Sequence, residues 1–236
     1  MCGIFGIVHD RKYQLSYNEF KSINNQNYNR GPDNQGSLEL DITNNKLKLG
    51  HSRLSILDLS NDANQPMESF NQKFIISFNG EIYNHLELRK ELDQIKKIIW
   101  KTTSDTETLL NLFETFSFLD VLKKINGMFA FILIDKKYNK LFVARDLAGE
   151  KPLYFCFNKY FISFASDLKT LKKLPNLPKN IDKVSVQNFL EYNYIPSPRT
   201  IYKNIYKLPA ASYIKIDLDK FIFFDLNNYN ELNSFN

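Results

Sequence analysis

The sequence predicts an α+β protein in which two mostly antiparallel sheets carry helices on their outer sides. The first observation is a series of short runs rich in aromatic and β-branched residues, which favour strands. Several runs have no polar interruption, as expected when both faces of a sheet are covered. The second observation is the helical periodicity of segments between them. The strand-like runs are CGIFGIV, KFIISFNG, MFAFILID, KLFVARD, KPLYFCFN and YFISFAS.

One well-marked helix is predicted in NHLELRKELDQI. Asn84 is placed to cap it, and Glu87 follows three residues later, as in a capping box. Leu88, Leu92 and Ile95 recur at helical spacing, so we expect them to form one buried stripe.

A second well-marked helix is predicted in SDTETLLNLFETF. Ser104 and Glu107 have the same capping-box spacing. The residues expected on its buried side are Leu109, Leu110, Phe113 and Phe116. Further helices are predicted at 118–125, 166–174 and 184–193.

Composition and charge exclude several classes of protein. The chain has 236 residues, of which 43% are hydrophobic and 24% charged, as in ordinary globular proteins with a sizeable core. Its net charge of +5 is spread over many segments, which argues against a nucleic-acid partner. No early basic segment leads into a long apolar stretch, so no membrane association or signal peptide is predicted. We therefore expect a cytoplasmic protein.

The cysteines, histidines and glycines exclude further kinds of site. Cys2 and Cys156 do not make a disulfide framework, and with three scattered histidines they predict no metal site. Cys156 is expected to be a buried core residue. No two glycines are adjacent, and no G-x-G-x-x-G is present. Gly31 and Gly36 have the Walker A spacing, but the phosphate-binding lysine does not follow them. We expect no nucleotide cofactor in this chain.

Cys2, in MCGIFGIV, is the first candidate catalytic residue. Its small side chain favours removal of Met1, which would place a thiol and a free α-amine on one residue. An α-amine has a pKa of about 7.7 to 8.0 and a thiol one of about 8.5. The amine can therefore take the proton of its own side chain, as in N-terminal threonine nucleophiles. The alternative is that Cys2 is a core residue of the first strand.

Four other candidate residues have ordinary structural interpretations when the family resemblance is left aside. Asn79 and Gly80 are typical of a tight turn after the strand KFIISF. Arg53 suits the exposed end of a strand. Asp105 suits the first turn of a helix, where a carboxylate interacts favourably with the helix dipole.

A set of motifs changes these interpretations. Behind MCGIFGIV come, in order, RGPDNQG, GHSRLSILDLS, FNGEIYNH, TSDTET, INGMFAF and ARDLAGEKPLYF. Together they resemble the glutaminase domain of asparagine synthetases, a class II glutamine amidotransferase among the N-terminal-nucleophile hydrolases. The similarity runs from Cys2 to about Tyr213. It implies a four-layer αββα sandwich that hydrolyses the side-chain amide of L-glutamine to glutamate and ammonia through a Cys2 thioester.

The resemblance also implies a role for each site residue. Cys2 is the nucleophile, while the Asn79 side chain and the Gly80 backbone N–H stabilise the oxyanion. Arg53 binds the carboxylate of glutamine, for which its planar guanidinium is suited. Asp105 holds the substrate ammonium. The remaining expected pocket residues are Leu54 and Ile56, through their backbone, and Glu81.

Asparagine synthetases continue into an ATP pyrophosphatase domain with a Ser-Gly-Gly loop, which this chain lacks. We therefore predict an amidotransferase domain over 2–213 and a C-terminal extension or start of a linker over 214–236. The chain would be an excised domain or a stand-alone subunit. ATP and Mg²⁺ are expected only in a separate or missing synthetase domain, which would be the partner and use the ammonia to amidate aspartate or another carboxylate. Homodimer formation is left open.

Two alternatives remain on the sequence alone. One is an N-terminal-nucleophile hydrolase acting on another amide, against which Arg53 and Asp105 argue, since a bulky acyl substrate has no ammonium to bind. The other is a non-catalytic domain that senses glutamine or pairs with a partner protein. A rate on glutamine no better than that on unrelated amides would favour the first alternative. Glutamine binding without turnover by a processed chain would favour the second.

Overall fold

The computed structural model describes residues 1–220 and 224–228, in which twelve strands form two six-stranded antiparallel sheets. The first sheet contains, from edge to edge, β10 (Ile205–Lys207), β8 (Tyr154–Phe157), β9 (Phe161–Ala165), β1 (Gly3–Asp10), β3 (Asn45–Arg53) and β2 (Asn34–Ile42). The second contains β12 (Phe224–Asn228), β11 (Ser212–Asp217), β7 (Lys140–Arg145), β6 (Gly127–Asp135), β5 (Phe74–Ile82) and β4 (Met67–Glu68).

The helices of the described residues differ in what they cover. They are α1 (Tyr17–Asn24), α2 (His85–Ile95), α3 (Asp105–Thr115), α4 (Phe118–Lys124), α5 (Leu168–Leu171) and α6 (Lys183–Tyr192). Apolar side chains of α1 and α5 pack on the first sheet, and those of α2, α3 and α4 pack on the second. Short 3₁₀ helices are present at Asn25–Arg30 and Asn61–Ala63.

Strand β1 is apolar over most of its length because both of its faces are buried. Ile4 and Val8 point to the interior between the two sheets. Phe5 and Ile7 point the other way and pack against α1, where the Phe5 and Phe20 rings stack with centroids 4.7 Å apart. Because successive side chains of a strand face opposite sides, a strand buried on both faces is apolar throughout.

Strand β6 repeats this arrangement in the second sheet. Ile132 and Ile134 lie between the sheets, while Phe131 packs on the helical side against Phe113 of α3, with ring centroids 5.8 Å apart. Two helical layers thus enclose two sheets. The predicted four-layer αββα sandwich is confirmed.

The predicted helices are present, but two details of the first were wrong. The Asn84 side chain does not cap α2; its Nδ2 donates to Lys124 O at 2.9 Å and its Oδ1 accepts from Asn126 N at 2.9 Å. Ile95 is 54% exposed, whereas Leu88 and Leu92 are buried. Asn84 therefore connects the start of α2 to the segment 124–126. The buried apolar stripe of α2 ends at Leu92, about one turn earlier than predicted.

The start of α3 is closer to its prediction. Ser104 Oγ accepts from Glu107 N at 3.3 Å. The Glu107 carboxylate accepts instead from the backbone of Lys101 and Thr102, at 2.9 and 2.8 Å. Of the predicted apolar side, Phe116 is only partly buried. Helix α5 is shorter than the predicted 166–174 segment.

The C-terminal part of the described chain belongs to the second sheet. Strand β11 pairs with β7 through Tyr213 and continues to Asp217, so it spans the boundary predicted at 213. That boundary stays a prediction, and residues 221–223 and 229–236 of the predicted extension lie outside the described residues. No helix in the described ranges is long and apolar enough to cross a membrane.

Candidate active site

Cys2 lies at the junction of two strands of the first sheet. Gly3 of β1 pairs with Ser52 of β3, so the start of β1 lies beside the end of β3. The Leu54 backbone N–H, just beyond β3, donates to Cys2 Sγ at 3.4 Å. Arg30 Nε donates to Cys2 O at 3.0 Å. The position of Cys2 is therefore fixed by hydrogen bonds to both its backbone and its sulfur.

Asn79 lies on β5 of the second sheet and is 1% exposed. Its Nδ2 has no hydrogen-bond acceptor among the described residues. The backbone beside it is well fixed, because Phe78 N donates to Gln65 Oε1 at 2.6 Å and Phe78 O accepts from His51 Nε2 at 2.9 Å. A buried amide donor without a partner is costly. The Asn79 amide is thus a donor in a fixed position, and a ligand atom that accepts a hydrogen bond would satisfy it.

The interpretation of Asn79 and Gly80 as a tight turn is wrong. Strand β5 continues to Ile82, and Gly80 pairs with Phe129 of β6. A Cβ on Gly80 would lie 2.3 Å from Met128 O. The glycine is required by the close approach of a neighbouring strand rather than by a turn.

All eight residues predicted from the resemblance line one pocket of about 230 Å³. The structure therefore brings together parts of the chain that are far apart in sequence. The volume suits a small molecule. A larger groove of about 300 Å³ beside Phe70 and Ile99 contains none of the eight. The predicted residues are Cys2, Arg53, Leu54, Ile56, Asn79, Gly80, Glu81 and Asp105.

Arg53 is buried, so its interpretation as an exposed strand-end arginine is wrong. Its Nη1 donates to Ser60 O at 2.7 Å and to Asn64 Oδ1 at 2.8 Å, and its Nη2 donates to Asp58 O. The loop after β3 thus folds around the guanidinium. A guanidinium has five N–H groups. These three bonds leave two of them for a ligand.

Asp105 is the first residue of α3 and is 5% exposed. Its Oδ2 accepts from Ile82 N at 2.9 Å. Burial raises the pKa of this carboxyl to about 6, and the negative charge of Glu81 adds to the rise. A cation in the pocket would reverse this effect by favouring the ionised form. Asp105 also lies in the first turn of α3, as the helix-start interpretation expects, and this position is compatible with a place in the pocket.

Burial also raises the pKa of the Cys2 thiol, against the lowering effects of the Leu54 N–H, the chain's terminal ammonium and Arg53. The thiol therefore needs a base to become a thiolate. His51 is fully buried, and burial lowers its pKa to about 4, so it is neutral at neutral pH. In the described residues no group of three or more His, Cys, Asp or Glu is arranged to hold a metal.

Several pocket residues were missed by sequence reasoning. Gln65 holds Phe78 N and donates to Thr106 Oγ1 at 3.2 Å. Asp58 accepts from Thr103 N at 2.8 Å and so ties the Arg53 loop to the segment before α3. Met128 and Lys151 also line the pocket. No local pattern marks these residues, because each joins the site only through tertiary packing.

Curated relatives match most of the chain. It is 37% identical over 236 residues to a putative glutamine-hydrolyzing asparagine synthetase 2 of Methanocaldococcus jannaschii, covering 93% of this chain and 45% of the relative. It is 34% identical over 222 residues to glutamine-hydrolyzing asparagine synthetase 1 of Bacillus subtilis, covering 93% and 34%. The chain thus spans less than half the length of these relatives.

Solved structures share the fold. The structure of an allosteric regulatory enzyme of purine biosynthesis superimposes with a TM-score of 0.71 and 17% identity, over 100% of this chain and 50% of the other. The B. subtilis glutamine phosphoribosylpyrophosphate amidotransferase gives a TM-score of 0.68 at 17% identity, with the same coverage. At this identity the likeness concerns the fold alone.

The family comparison covers almost the whole chain. The model of the glutamine amidotransferase domain matches residues 1–229, which include both sheets and every residue of the candidate site. With the relatives' identity and the shared fold, this shows that the chain belongs to the class II glutamine amidotransferase domains, in the branch related to asparagine synthetases.

Proposed function

We propose that this chain hydrolyses the side-chain amide of L-glutamine to glutamate and ammonia, with Cys2 as the nucleophile. The main support for the proposal is that the Cys2 thiol and the buried, unpaired amide of Asn79 line the same small pocket. One group can attack a carbonyl carbon, and the other can stabilise the oxyanion that the attack creates.

The reaction follows from these groups once Met1 is removed. The α-amine of Cys2 takes the thiol proton, and Sγ forms a bond to the amide carbon of glutamine. The Asn79 Nδ2 and the Gly80 N–H donate to the oxyanion. The C–N bond then breaks, and ammonia leaves with the proton held by the α-ammonium. Water adds to the γ-glutamyl thioester, which releases glutamate and restores the thiol.

Free glutamine would be recognised by two pocket residues of opposite charge, Asp105 and Arg53. Asp105 pairs with the substrate ammonium, and Arg53 pairs with the substrate carboxylate through its remaining N–H groups. The backbone at Leu54 and Ile56, with Glu81, completes the expected contacts. A pocket of about 230 Å³ with this charge pattern favours an amino acid over a bulky acyl amide.

The ammonia would be used by an ATP-dependent synthetase domain or subunit. The support is that the curated relatives are glutamine-hydrolyzing asparagine synthetases more than twice the length of the matched part. ATP and Mg²⁺ belong to that partner, and we propose no cofactor for this chain. The acceptor is a carboxylate such as aspartate, and the compartment is the cytoplasm.

The direct test is glutaminase activity of the purified chain after its N-terminus has been sequenced. A processed wild-type chain should release ammonia from glutamine, and Cys2→Ala should not. Retention of the original rate in Cys2→Ala would contradict the mechanism. Equal rates on glutamine and on unrelated amides would favour a general amide hydrolase, and glutamine binding without turnover would favour a sensing domain.

A further inference from the structure

His51 connects the two sheets at the strand that carries Asn79. It lies on β3, between β1 and β2 of the first sheet, and is 0% exposed. Its side chain reaches the second sheet, where its Nε2 donates to the backbone oxygen of Phe78 on β5 at 2.9 Å. A single ring thus links β3, which ends at Arg53, to β5, on which Asn79 follows Phe78.

This hydrogen bond determines which ring nitrogen of His51 carries the proton. A backbone oxygen only accepts, so Nε2 is the donor and Nδ1 is unprotonated. Nδ1 has no hydrogen-bond partner among the described residues. Because burial lowers the pKa of the ring to about 4, the neutral form prevails at neutral pH. His51 is therefore a fixed neutral donor to Phe78 O.

The backbone of Phe78 faces the open side of β5. In antiparallel sheets, successive residues of a strand direct their backbone groups to alternate neighbours. Phe78 N donates to Gln65 Oε1 at 2.6 Å, so the backbone groups of Phe78 face away from β6. Strand β4, the neighbour on that side, pairs only with Ile75 and Ile76. The side chains of His51 and Gln65 therefore hold Phe78 where no strand pairs with it.

The bond to Phe78 O affects both proposed oxyanion donors. Phe78 C=O and Asn79 N–H belong to one planar peptide group, so His51 fixes the backbone from which the Asn79 side chain extends. Gly80 lies two residues beyond Phe78, so its N–H faces the same open side. Asn79 Nδ2 has no acceptor among the described residues, so its direction depends on the backbone and on packing.

The alternative is that His51 only fills space between the sheets. That interior is lined largely by apolar side chains such as Leu49 and Ile132. An aliphatic residue would fill the space without leaving a ring nitrogen unpaired, which is costly. The same two strands are already tied by Ser77 Oγ, which donates to Gly50 O at 3.0 Å. What the histidine adds is a donor to the peptide before Asn79.

We infer that His51 is a positioning residue, which holds the peptide between Phe78 and Asn79 so that the Asn79 amide meets the oxyanion. The inference rests on the proposed function, since it names the support of one group in that mechanism. His51 does not line the pocket and would not touch glutamine. It would act through geometry that is set before the substrate binds, as preorganised donors require.

The test compares two substitutions of similar size. His51→Leu removes the donor, whereas His51→Gln keeps a side-chain N–H for the Phe78 oxygen. His51→Leu should lower kcat by about 10-fold to 100-fold, as expected for a misplaced group, with little change in KM. His51→Gln should recover most of the lost kcat. Ser163→Ala is the control, since it removes an equally buried bond, to Gly6 O at 2.8 Å, outside the pocket, and should keep wild-type kcat.

A second measurement needs no turnover. In ¹H–¹⁵N spectra, the side-chain amide signal of Asn79 is identified by its absence from Asn79→Ala. This signal should shift in His51→Leu and stay near its wild-type position in His51→Gln and Ser163→Ala. If it shifts in this way but the wild type has no glutaminase activity, the proposed function fails while the placement of Asn79 by His51 stands.

Three results would overturn the inference. The first is wild-type kcat in a folded His51→Leu, with folding checked by urea unfolding. The second is an equal loss of kcat in His51→Leu and His51→Gln, which would make ring shape rather than the donor important. The third is an imidazole ¹⁵N spectrum of the wild type with the proton on Nδ1. The last two results decide the question even if His51→Leu does not fold.

Discussion

Cys2 Sγ lies 3.4 Å from the backbone nitrogen of Leu54 and 3.7 Å from its oxygen. Leu54 directly follows Arg53, whose guanidinium is enclosed by the next loop. The proposed nucleophile and the proposed carboxylate-binding residue therefore share one strand junction, where β1 begins and β3 ends. A shift of that loop would alter substrate position and thiol environment together.

Asn79→Ala should lower kcat by about 10² to 10³, the usual effect of removing one oxyanion donor. KM for glutamine should change little, because the donor acts on charge that develops in the transition state. Initial-rate measurements of glutamate formation test this. Asn111→Ala, on α3 outside the pocket, is the matched control and should keep wild-type kcat. A wild-type kcat in Asn79→Ala would remove this residue from the mechanism.

Asp105 should make glutamine binding pH-dependent. Its pKa is about 6 in the free site, and binding of an ammonium favours the carboxylate. KM should therefore rise as pH falls through about 6. Asp105→Asn should show a high KM without that pH dependence. KM measured from pH 5 to 8 for both proteins gives the comparison, and parallel profiles would contradict the role.

The same carboxyl makes a prediction for stability. A carboxyl whose folded pKa is raised stabilises the fold when protonated, and this contribution is lost as pH rises through about 6. The free energy of unfolding of the wild type should thus increase, relative to Asp105→Asn, as pH falls from 7 to 5. Urea unfolding at several pH values measures it. An opposite slope would mean that Asp105 is ionised and paired in the free protein.

Arg53→Lys should raise KM for glutamine by about 10-fold to 100-fold, since hydrogen bonds to charged groups contribute about 1.5 to 3 kcal/mol. A lysine cannot replace both the loop contacts and the paired contact to a carboxylate. Arg199→Lys, at a half-exposed arginine outside the pocket, should leave KM unchanged. Equal KM values in the two variants would place Arg53 in a purely structural role.

Asp146 is a structural carboxylate that should matter for folding. It is 1% exposed and accepts from the backbone N–H of Phe129, Glu150 and Lys151, at 3.2, 2.8 and 3.0 Å. Asp146→Ala would leave these donors unpaired, so the free energy of unfolding should fall by about 3 kcal/mol. The exposed Asp41→Ala should change it by less than about 1 kcal/mol. Urea titration distinguishes the two.

The layered fold was predictable because several of its strands are apolar almost without interruption. Runs such as β1 and β6 are apolar on both faces, which indicates sheets covered on both sides. Less regular strands were not recognised. Strand β2 has only intermediate burial at most positions, and β3 places the charged Lys48 inside the molecule, beside His9 and Glu39. Such strands lack a clear period and depend on their partners.

The grouping of the candidate residues in one pocket was predictable from the ordered set of motifs, and much less so from single residues. Asn79 with Gly80 favours a turn locally, yet the long pairing of β5 with β6 keeps both in a strand. Asn84 favours a cap, yet its amide is used by the 124–126 segment. Gln65 carries no local signal at all. In each case tertiary contacts outweigh the local preference of the residue.

The assignment of Cys2 as the nucleophile of a glutamine site can be tested by intact-protein mass spectrometry before and after treatment with 6-diazo-5-oxo-norleucine, a glutamine-like electrophile, followed by peptide mapping. We expect loss of Met1 and one covalent adduct, at Cys2. Cys156 should stay unmodified, because it is fully buried and burial raises the pKa of its thiol. A processed chain that remains unlabelled, or one labelled at Cys156, would contradict a glutamine site built around Cys2.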